Sequence, residues 1–195
     1  METPLEISPE SPLVADHPAL DLLNTVANVE GRPFDFFRSD DDVRRWLTRL
    51  GVFPEGGISK FPRHALLDAA RCLREAVRAL VRRRKEGKKA DPTALNAYLR
   101  AAEAHSELVW DGPGAPRLQR KREFRTPEQL LAPLAESAAE LLSCGDFDLV
   151  RPCDNHECIL WFYDRTKSHR RRWCSMAACG NRHKVAAFRQ RQQEE

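Results

Sequence analysis

The sequence predicts a mainly α protein, with an N-terminal helical bundle that contains a possible short β-hairpin and a small cysteine-rich module at the C-terminus. Two observations support this prediction. Apolar residues recur at helical spacing, between helix start and stop signals, through about three quarters of the 195 residues. Four of the six cysteines and a surplus of cations lie in the last 45 residues. We therefore expect two domains, residues 1–148 and 149–195.

Two helices are predicted in the first 51 residues. Asp16-His17-Pro18 is a helix start signal, and the apolar residues after it extend the first helix through Val26. Ser39 and Asp42 fit a capping box for the second helix, which is expected to end before Gly51.

Two more helices follow. The longest is predicted from about residue 62 to residue 86, because its leucines and valines form one stripe and Gly87 stands at the position of a C-terminal cap. Asp91-Pro92 then opens a shorter helix through Ala102.

A last helix and a hairpin complete the bundle. Thr126 and Gln129 have capping-box spacing and predict a helix that ends at Gly145. Before it, residues 108–110 and 118–124 flank a turn rich in glycine and proline, which predicts a short hairpin.

Composition excludes several classes of protein. No apolar run approaches the roughly 18 residues that span a bilayer, and the N-terminus lacks the pattern of a secretory signal, so we expect a cytoplasmic protein without membrane association. Glycine-rich phosphate loops and metalloprotease or hydrolase motifs are absent, so no enzyme activity is expected. Cys72 and Cys144 are expected to pack as small apolar residues within their helices.

Two close cysteine pairs predict a metal site. Cys153 and Cys158 are separated by four residues, as are Cys174 and Cys179, and a 15-residue loop joins the pairs. Four thiolates in a reducing compartment suit one zinc ion, and a filled shell leaves no position for a catalytic water, so the site is structural. Disulfides, an iron–sulfur centre and free thiols are the alternatives, and His156 permits a variant with three cysteines and one histidine.

The sequence around the cysteines predicts a small zinc finger. Residues 158–163 are β-prone and 170–173 are expected to return as a second strand, while Ser175 is a reasonable cap for a helix that extends toward Arg191. A knuckle, a hairpin and a helix in this order resemble a treble-clef finger.

The charge of this module indicates nucleic-acid binding. Residues 151–195 carry a net charge of +5, against −2 for residues 1–150, and no acidic residue occurs between Arg165 and Arg191. Such a surface binds phosphates with a strong dependence on salt. The predicted DNA contacts are Lys167, Arg170, Arg171, Arg172, Arg182, Lys184, Arg189 and Arg191.

The C-terminal motifs resemble a known family. Cys179-Gly180-Asn181-Arg182, with Trp173-Cys174-Ser175-Met176 before it, is similar to the CGNR zinc finger, and residues 17–27 (HPALDLLNTVA) resemble the start of the helical ABATE domain that precedes this finger. The resemblance implies zinc on the four cysteines, DNA binding by the finger, a role in stress-induced regulation of transcription, and no enzyme activity.

A protein or RNA partner is the alternative to DNA. Exposed aromatic residues in the finger would favour this alternative, whereas buried ones would form its small core; the residues concerned are Trp161, Phe162, Tyr163 and Trp173. A second basic run, residues 82–89, is interpreted as cations at a helix C-terminus.

The N-terminal domain is expected to supply the input of a regulator, either as a small-molecule effector site or as a homodimer surface. Asp21 and Asn24 are polar positions in an apolar segment, and hydrogen bonds that support packing explain them as well as ligand contacts do.

Overall fold

The computed structural model describes residues 10–54, 58, 60–181 and 192. The chain divides into two compact units, one made of residues 1–38 with 146–195 and the other of residues 39–145. The first segment of the chain therefore packs with the cysteine-rich segment, a feature that the sequence did not indicate. The division at residues 148 and 149 stays a prediction.

Helices and two-stranded antiparallel hairpins make up the described chain. The helices are α1 (Pro18–Leu23), α2 (Asp40–Arg49), α3 (Ala65–Lys85), α4 (Thr93–Ala101) and α5 (Pro127–Cys144), with a π-helical turn at Met176–Gly180. The strands are β1 (Val26–Val29), β2 (Arg32–Asp35), β3 (Ala104–Val109), β4 (Arg117–Arg122), β5 (Val150–Pro152) and β6 (Trp161–Tyr163), paired β1–β2, β3–β4 and β5–β6.

The unit of residues 39–145 is a helical bundle, in which α3 packs against α2, α4 and α5. Two of its helices, α2 and α5, begin where the capping signals predict. The Ser39 hydroxyl accepts a hydrogen bond from the Asp42 backbone amide, and Thr126 and Gln129 form a reciprocal capping box. Gly51 has a φ of +73° directly after α2, a conformation that favours glycine.

The predicted hairpin in this bundle is confirmed as β3–β4. Leu108 lies opposite Leu118, and both are exposed, at 60% and 72%, as is Trp110 at 62%. The hairpin and its turn therefore present three large apolar side chains to solvent. At its base, Arg122 forms an ion pair with Glu136 of α5.

Cys72 and Cys144 correct one expectation about the bundle. Both residues are exposed, so they do not pack as small apolar groups inside the helices that carry them. Helical periodicity placed them correctly on α3 and α5 but did not resolve which face each occupies. Throughout the described part of the chain, no helix is long and apolar enough to cross a membrane.

In the other unit, a hairpin replaces the end of the predicted first helix. The helix α1 stops at Leu23, and Val26 begins β1 instead of extending α1. Glu30 and Gly31 join β1 to β2 with φ values of +51° and +78°. Two consecutive positive φ values form the tight turn whose twist matches that of a hairpin.

The finger hairpin also differs from its prediction. Strand β6 pairs with β5, which precedes the first cysteine, with Arg151 opposite Phe162. Residues 170–173 form no strand, because the backbone amide of Arg171 donates to the Asp164 side chain and not to a neighbouring strand. Beyond the π-helical turn, the predicted helix toward Arg191 lies outside the described residues, apart from Asn181.

Candidate metal centre

The first cysteine pair lies on a tight knuckle between β5 and β6. The Cys153 amide donates to the Leu160 carbonyl at 2.9 Å, and the Cys158 amide donates to the Asn155 carbonyl at 2.8 Å. The Asn155 side chain is buried and accepts from the Glu157 amide, which fixes the turn between the two cysteines. Both sulfurs therefore point to one side of the knuckle.

The second pair reaches the same point from the start of the π-helical turn. The Cys174 amide donates to the Cys153 sulfur at 3.3 Å, which joins the two pairs directly. The Ser175 side chain caps the turn by accepting from the Ala178 amide, and the Cys179 amide donates to the Ser175 carbonyl. This turn brings Cys179 back beside Cys174.

The four sulfurs have the arrangement that a tetrahedral zinc site requires. Sγ of Cys174 lies 3.8 Å from Sγ of Cys158 and 3.6 Å from Sγ of Cys179. All four ligand atoms lie within 4.8 Å of one another. Zinc–sulfur bonds of about 2.3 Å place the sulfurs of a tetrahedron roughly 3.8 Å apart. The structure brings the four predicted ligands together, in a cluster positioned to bind one metal ion as in a structural zinc site: Cys153, Cys158, Cys174 and Cys179.

The electrostatics of the cluster also favour a cation. Hydrogen bonds from Cys158 and Cys174 lower the pKa of the Cys153 thiol to about 2. The same interaction with Cys153 raises the pKa of Cys158 to about 12, and both neighbours raise the pKa of Cys174. Full ionisation of four sulfurs this close together requires a compensating positive charge, which a zinc ion would supply. His156 lies outside the cluster, with 90% of its side chain exposed.

An apolar shell from the start of the chain surrounds the cysteines. Three of the four cysteines are buried, and they share one core cluster with Ala27 and Phe36 of the N-terminal segment and with Leu160 and Phe162 of the finger. Val29 and Phe34 of the β1–β2 hairpin pack against this cluster. An apolar shell of this kind limits the access of solvent to the sulfurs on the side that it covers.

Asn24 ties α1 to the finger hairpin. Its side-chain amide donates to the Trp161 carbonyl at 2.8 Å, and its side-chain oxygen accepts from the Trp161 amide at 2.9 Å. The side chain therefore pairs with β6 as a neighbouring strand would. Of the two interpretations of Asn24, support of packing accounts for both of its polar groups.

Asp21 has a similar structural role. One oxygen of its buried carboxylate accepts from the backbone amides of Val14 and Ala15, at 2.9 and 3.0 Å. Burial raises the pKa of Asp21 to about 6, although the two amide hydrogen bonds oppose that effect. The carboxylate holds the segment before α1 in place.

This raised pKa predicts a pH dependence of stability. The folded protein binds a proton to Asp21 more tightly than the unfolded chain does. The contribution of Asp21 to stability is therefore greatest below about pH 4, and it is lost as the pH rises through 6. Asp21→Asn keeps an oxygen for both amides and removes this charge. We expect the variant to be about 1–3 kcal/mol more stable than the parent at pH 7, and equal to it near pH 4. Chemical denaturation at both pH values measures the difference, and an equal effect at both would contradict the assignment.

Arg171 is held inside the finger unit. Its side chain donates to the carbonyls of Val14, Trp173 and Cys174 and forms an ion pair with Asp16. The guanidinium also lies 4.4 Å from the centre of the Phe162 ring. This predicted DNA contact thus has an extensive internal network, which the sequence did not indicate.

Asp164 organises the loop that carries the other described cations. It is fully buried and accepts hydrogen bonds from Thr166 and from the Arg171 amide. Burial alone would raise the pKa of Asp164, but these hydrogen bonds and the charge of Arg151 hold it below the ordinary value. The loop between Asp164 and Arg171 is therefore anchored at both ends.

The remaining predicted cations divide into two groups. Lys167, Arg170 and Arg172 are exposed, and Arg172 forms an ion pair with Asp154. Exposed Arg165, which the prediction omitted, lies over the Tyr163 ring in the same loop. The others lie outside the described residues: Arg182, Lys184, Arg189 and Arg191.

The finger aromatics are not exposed. Phe162 is fully buried, and Trp161, Tyr163 and Trp173 are half-buried. Trp173 packs against the core cluster that contains the cysteines. These positions agree with an aromatic contribution to the finger core.

A helical bundle and a four-cysteine centre define a zinc-finger protein with an additional helical domain. Comparison with family models gives the same two parts. The chain belongs to the ABATE family, described as "Putative stress-induced transcription regulator", whose model matches residues 16–145, and the CGNR zinc finger matches residues 150–192. No curated protein matches the chain.

Proposed function

We propose that the protein is a zinc-dependent, duplex-DNA-binding regulator of transcription in a stress response, and that it acts in the cytoplasm without catalytic activity. The proposal rests on the exposed loop of the finger. This loop carries the exposed cations Arg165, Lys167 and Arg170, and it contains no exposed acidic residue. The family description supports the regulatory role.

The loop is suited to contact phosphates. Because Asp164 and the internal network of Arg171 fix its two ends, the cations between them are presented on a rigid support. In the described part of the chain, no acidic side chain pairs with Lys167 or Arg170. We assign Arg171 a positioning role and keep the other predicted residues, including those beyond 181, as DNA contacts.

A treble-clef-like finger is part of the same proposal. The knuckle of Cys153 and Cys158, the β5–β6 hairpin and the helical turn of Cys179 supply its elements in order. Amide chemical shifts of the zinc-loaded protein would test it, with continuous helix from Ser175 toward Arg191 as the expected result.

Salt-dependent binding tests DNA recognition. If about five cations contact phosphates, the logarithm of the binding constant falls against the logarithm of salt concentration with a slope of roughly −4 to −5. The triple variant Arg165→Ala, Lys167→Ala, Arg170→Ala is expected to reduce that slope by roughly 2 to 3, because each lost phosphate contact removes about 0.9. Fluorescence anisotropy with a labelled duplex measures both slopes.

The matched control removes equal charge from the other basic run. Arg82→Ala, Arg83→Ala, Lys85→Ala changes three exposed cations at the end of α3 and is expected to leave the slope unchanged. A slope near zero for the parent protein would reject DNA binding. Tighter binding to single-stranded RNA than to the duplex would instead favour the RNA alternative. If the protein binds neither nucleic acid in a salt-dependent manner, a protein partner would be favoured.

A further inference from the structure

The bundle contains an open cavity of about 510 Å³, between the end of α3, the loop after it, α4 and the end of α5. Its walls are apolar and come from three helices: Leu80 of α3, Leu95 and Leu99 of α4, and Leu142 of α5. Leu99 and Leu142 are only half-buried, so the cavity leaves apolar surface uncovered. Its size is that of a small-molecule site, roughly 300–1,000 Å³.

The mouth of this cavity is cationic. Arg84, Lys88 and Lys89 line it, and no acidic residue does. The nearest acidic residue in sequence, Glu86, is engaged by Lys88 at 2.9 Å and by Arg83 at 3.8 Å. The ends of α3 and α5 each add about half a negative charge. These partial charges and the pairing of Glu86 with Lys88 together offset about two of the three lining charges, and Lys89 remains an exposed cation at the mouth.

The loop that carries Lys88 and Lys89 is held in place. The Lys88 amide donates to the Arg83 carbonyl at 2.8 Å, and the Arg83 side chain donates to the Lys89 carbonyl at 3.2 Å. Gly87, with a φ of +69°, makes the turn between them. Cations on an ordered loop lose less freedom when they bind an anion than cations on a loose one.

We propose that this cavity binds an amphipathic organic anion, a molecule with an apolar chain or ring and one carboxylate. The apolar walls take the hydrocarbon part, and the lysines at the mouth pair with the carboxylate. A free inorganic anion would leave the leucines exposed, and an amphipathic cation would be repelled at the mouth. The site is independent of DNA binding by the finger.

Decanoate is the probe that tests the proposal, measured by calorimetric titration of the full chain below the micelle concentration. Octanoate is expected to bind roughly tenfold more weakly, because two fewer methylenes are buried. Decanol, which has the same chain without charge, is expected to bind about fivefold more weakly than decanoate, and the difference is expected to shrink at high salt. Equal affinity of decanoate and decanol at low salt would overturn the proposal.

Variants locate the site. The double variant Lys88→Glu, Lys89→Glu reverses two exposed charges and does not disturb the core. It is expected to weaken decanoate binding at least tenfold, while decanol binding stays constant. The matched control, Arg82→Glu with Lys85→Glu, reverses two charges on the same helix end that do not line the cavity. Equal weakening by both pairs would overturn the assignment.

A second control separates the cavity from the exposed apolar hairpin. Trp110→Ala removes a large exposed apolar side chain of the bundle and is expected to leave decanoate binding unchanged. Ala139→Phe, which places a ring in the cavity, is expected to reduce binding of decanoate and decanol alike. Loss of binding in the Trp110 variant only would show that the amphiphile associates with the hairpin and would overturn the proposal.

Discussion

Cys174→Ser is expected to abolish stoichiometric zinc binding and to unfold the finger unit. Cys174 is 2% exposed, and its sulfur lies within 3.8 Å of two other cysteine sulfurs. Structural zinc sites contribute apparent binding free energies of about 10–16 kcal/mol, more than a unit of this size retains from its apolar core. Zinc content of the purified protein and the change in tryptophan fluorescence, to which Trp161 and Trp173 of the finger unit contribute, measure the two losses.

Two cysteines outside the centre provide matched controls. Cys72→Ser and Cys144→Ser make the same chemical change at exposed positions in the bundle. Both variants are expected to keep one zinc ion per chain and the parent melting temperature. A Cys174→Ser protein with full zinc content and native fluorescence would contradict the assigned ligand set.

Asn24→Asp is expected to destabilise the unit that contains the finger by about 2–4 kcal/mol. The Asn24 side chain is 1% exposed and forms both a donor and an acceptor contact with the backbone of Trp161. Aspartate keeps the acceptor but places a second oxygen against the Trp161 carbonyl, with a buried charge. Denaturant titration followed by tryptophan fluorescence measures the loss of stability.

Asn28→Asp is the control for this substitution. The Asn28 side chain is half-buried and donates one hydrogen bond to the Glu157 carbonyl, while its own oxygen is buried without a partner among the described residues. The same change therefore removes one hydrogen bond but disrupts no paired donor and acceptor, and we expect a smaller loss of about 1–2 kcal/mol. Equal losses in the two variants would show that the pairing of Asn24 with β6 contributes nothing particular.

The local rules of the sequence predicted much of the bundle. Capping residues such as Ser39 and Thr126 determine helix starts through contacts three residues away, so their effect can be read from the chain. The β1–β2 hairpin escaped prediction because its turn is Glu30-Gly31 and Val26 continues the apolar pattern of α1. Helical and strand interpretations of a short apolar run differ only in what the run packs against.

The sequence by itself determined the metal centre. Two cysteine pairs four residues apart allow few other arrangements, because each pair must form a turn and four thiolates must share one cation. The four cysteines as candidate ligands, zinc as the favoured ion and the concentration of positive charge near them therefore followed from spacing and composition, which involve neighbours in the chain.

Only the tertiary structure decided what surrounds that centre. Nothing in the sequence indicates that residues 14–36 complete the finger core, that Asn24 pairs with Trp161, or that Arg171 is held internally while Arg165 is exposed. These contacts join residues more than 100 positions apart, for example Asn24 with Trp161. The tertiary fold decides which of these distant residues meet, and a local sequence pattern contains no information about that choice.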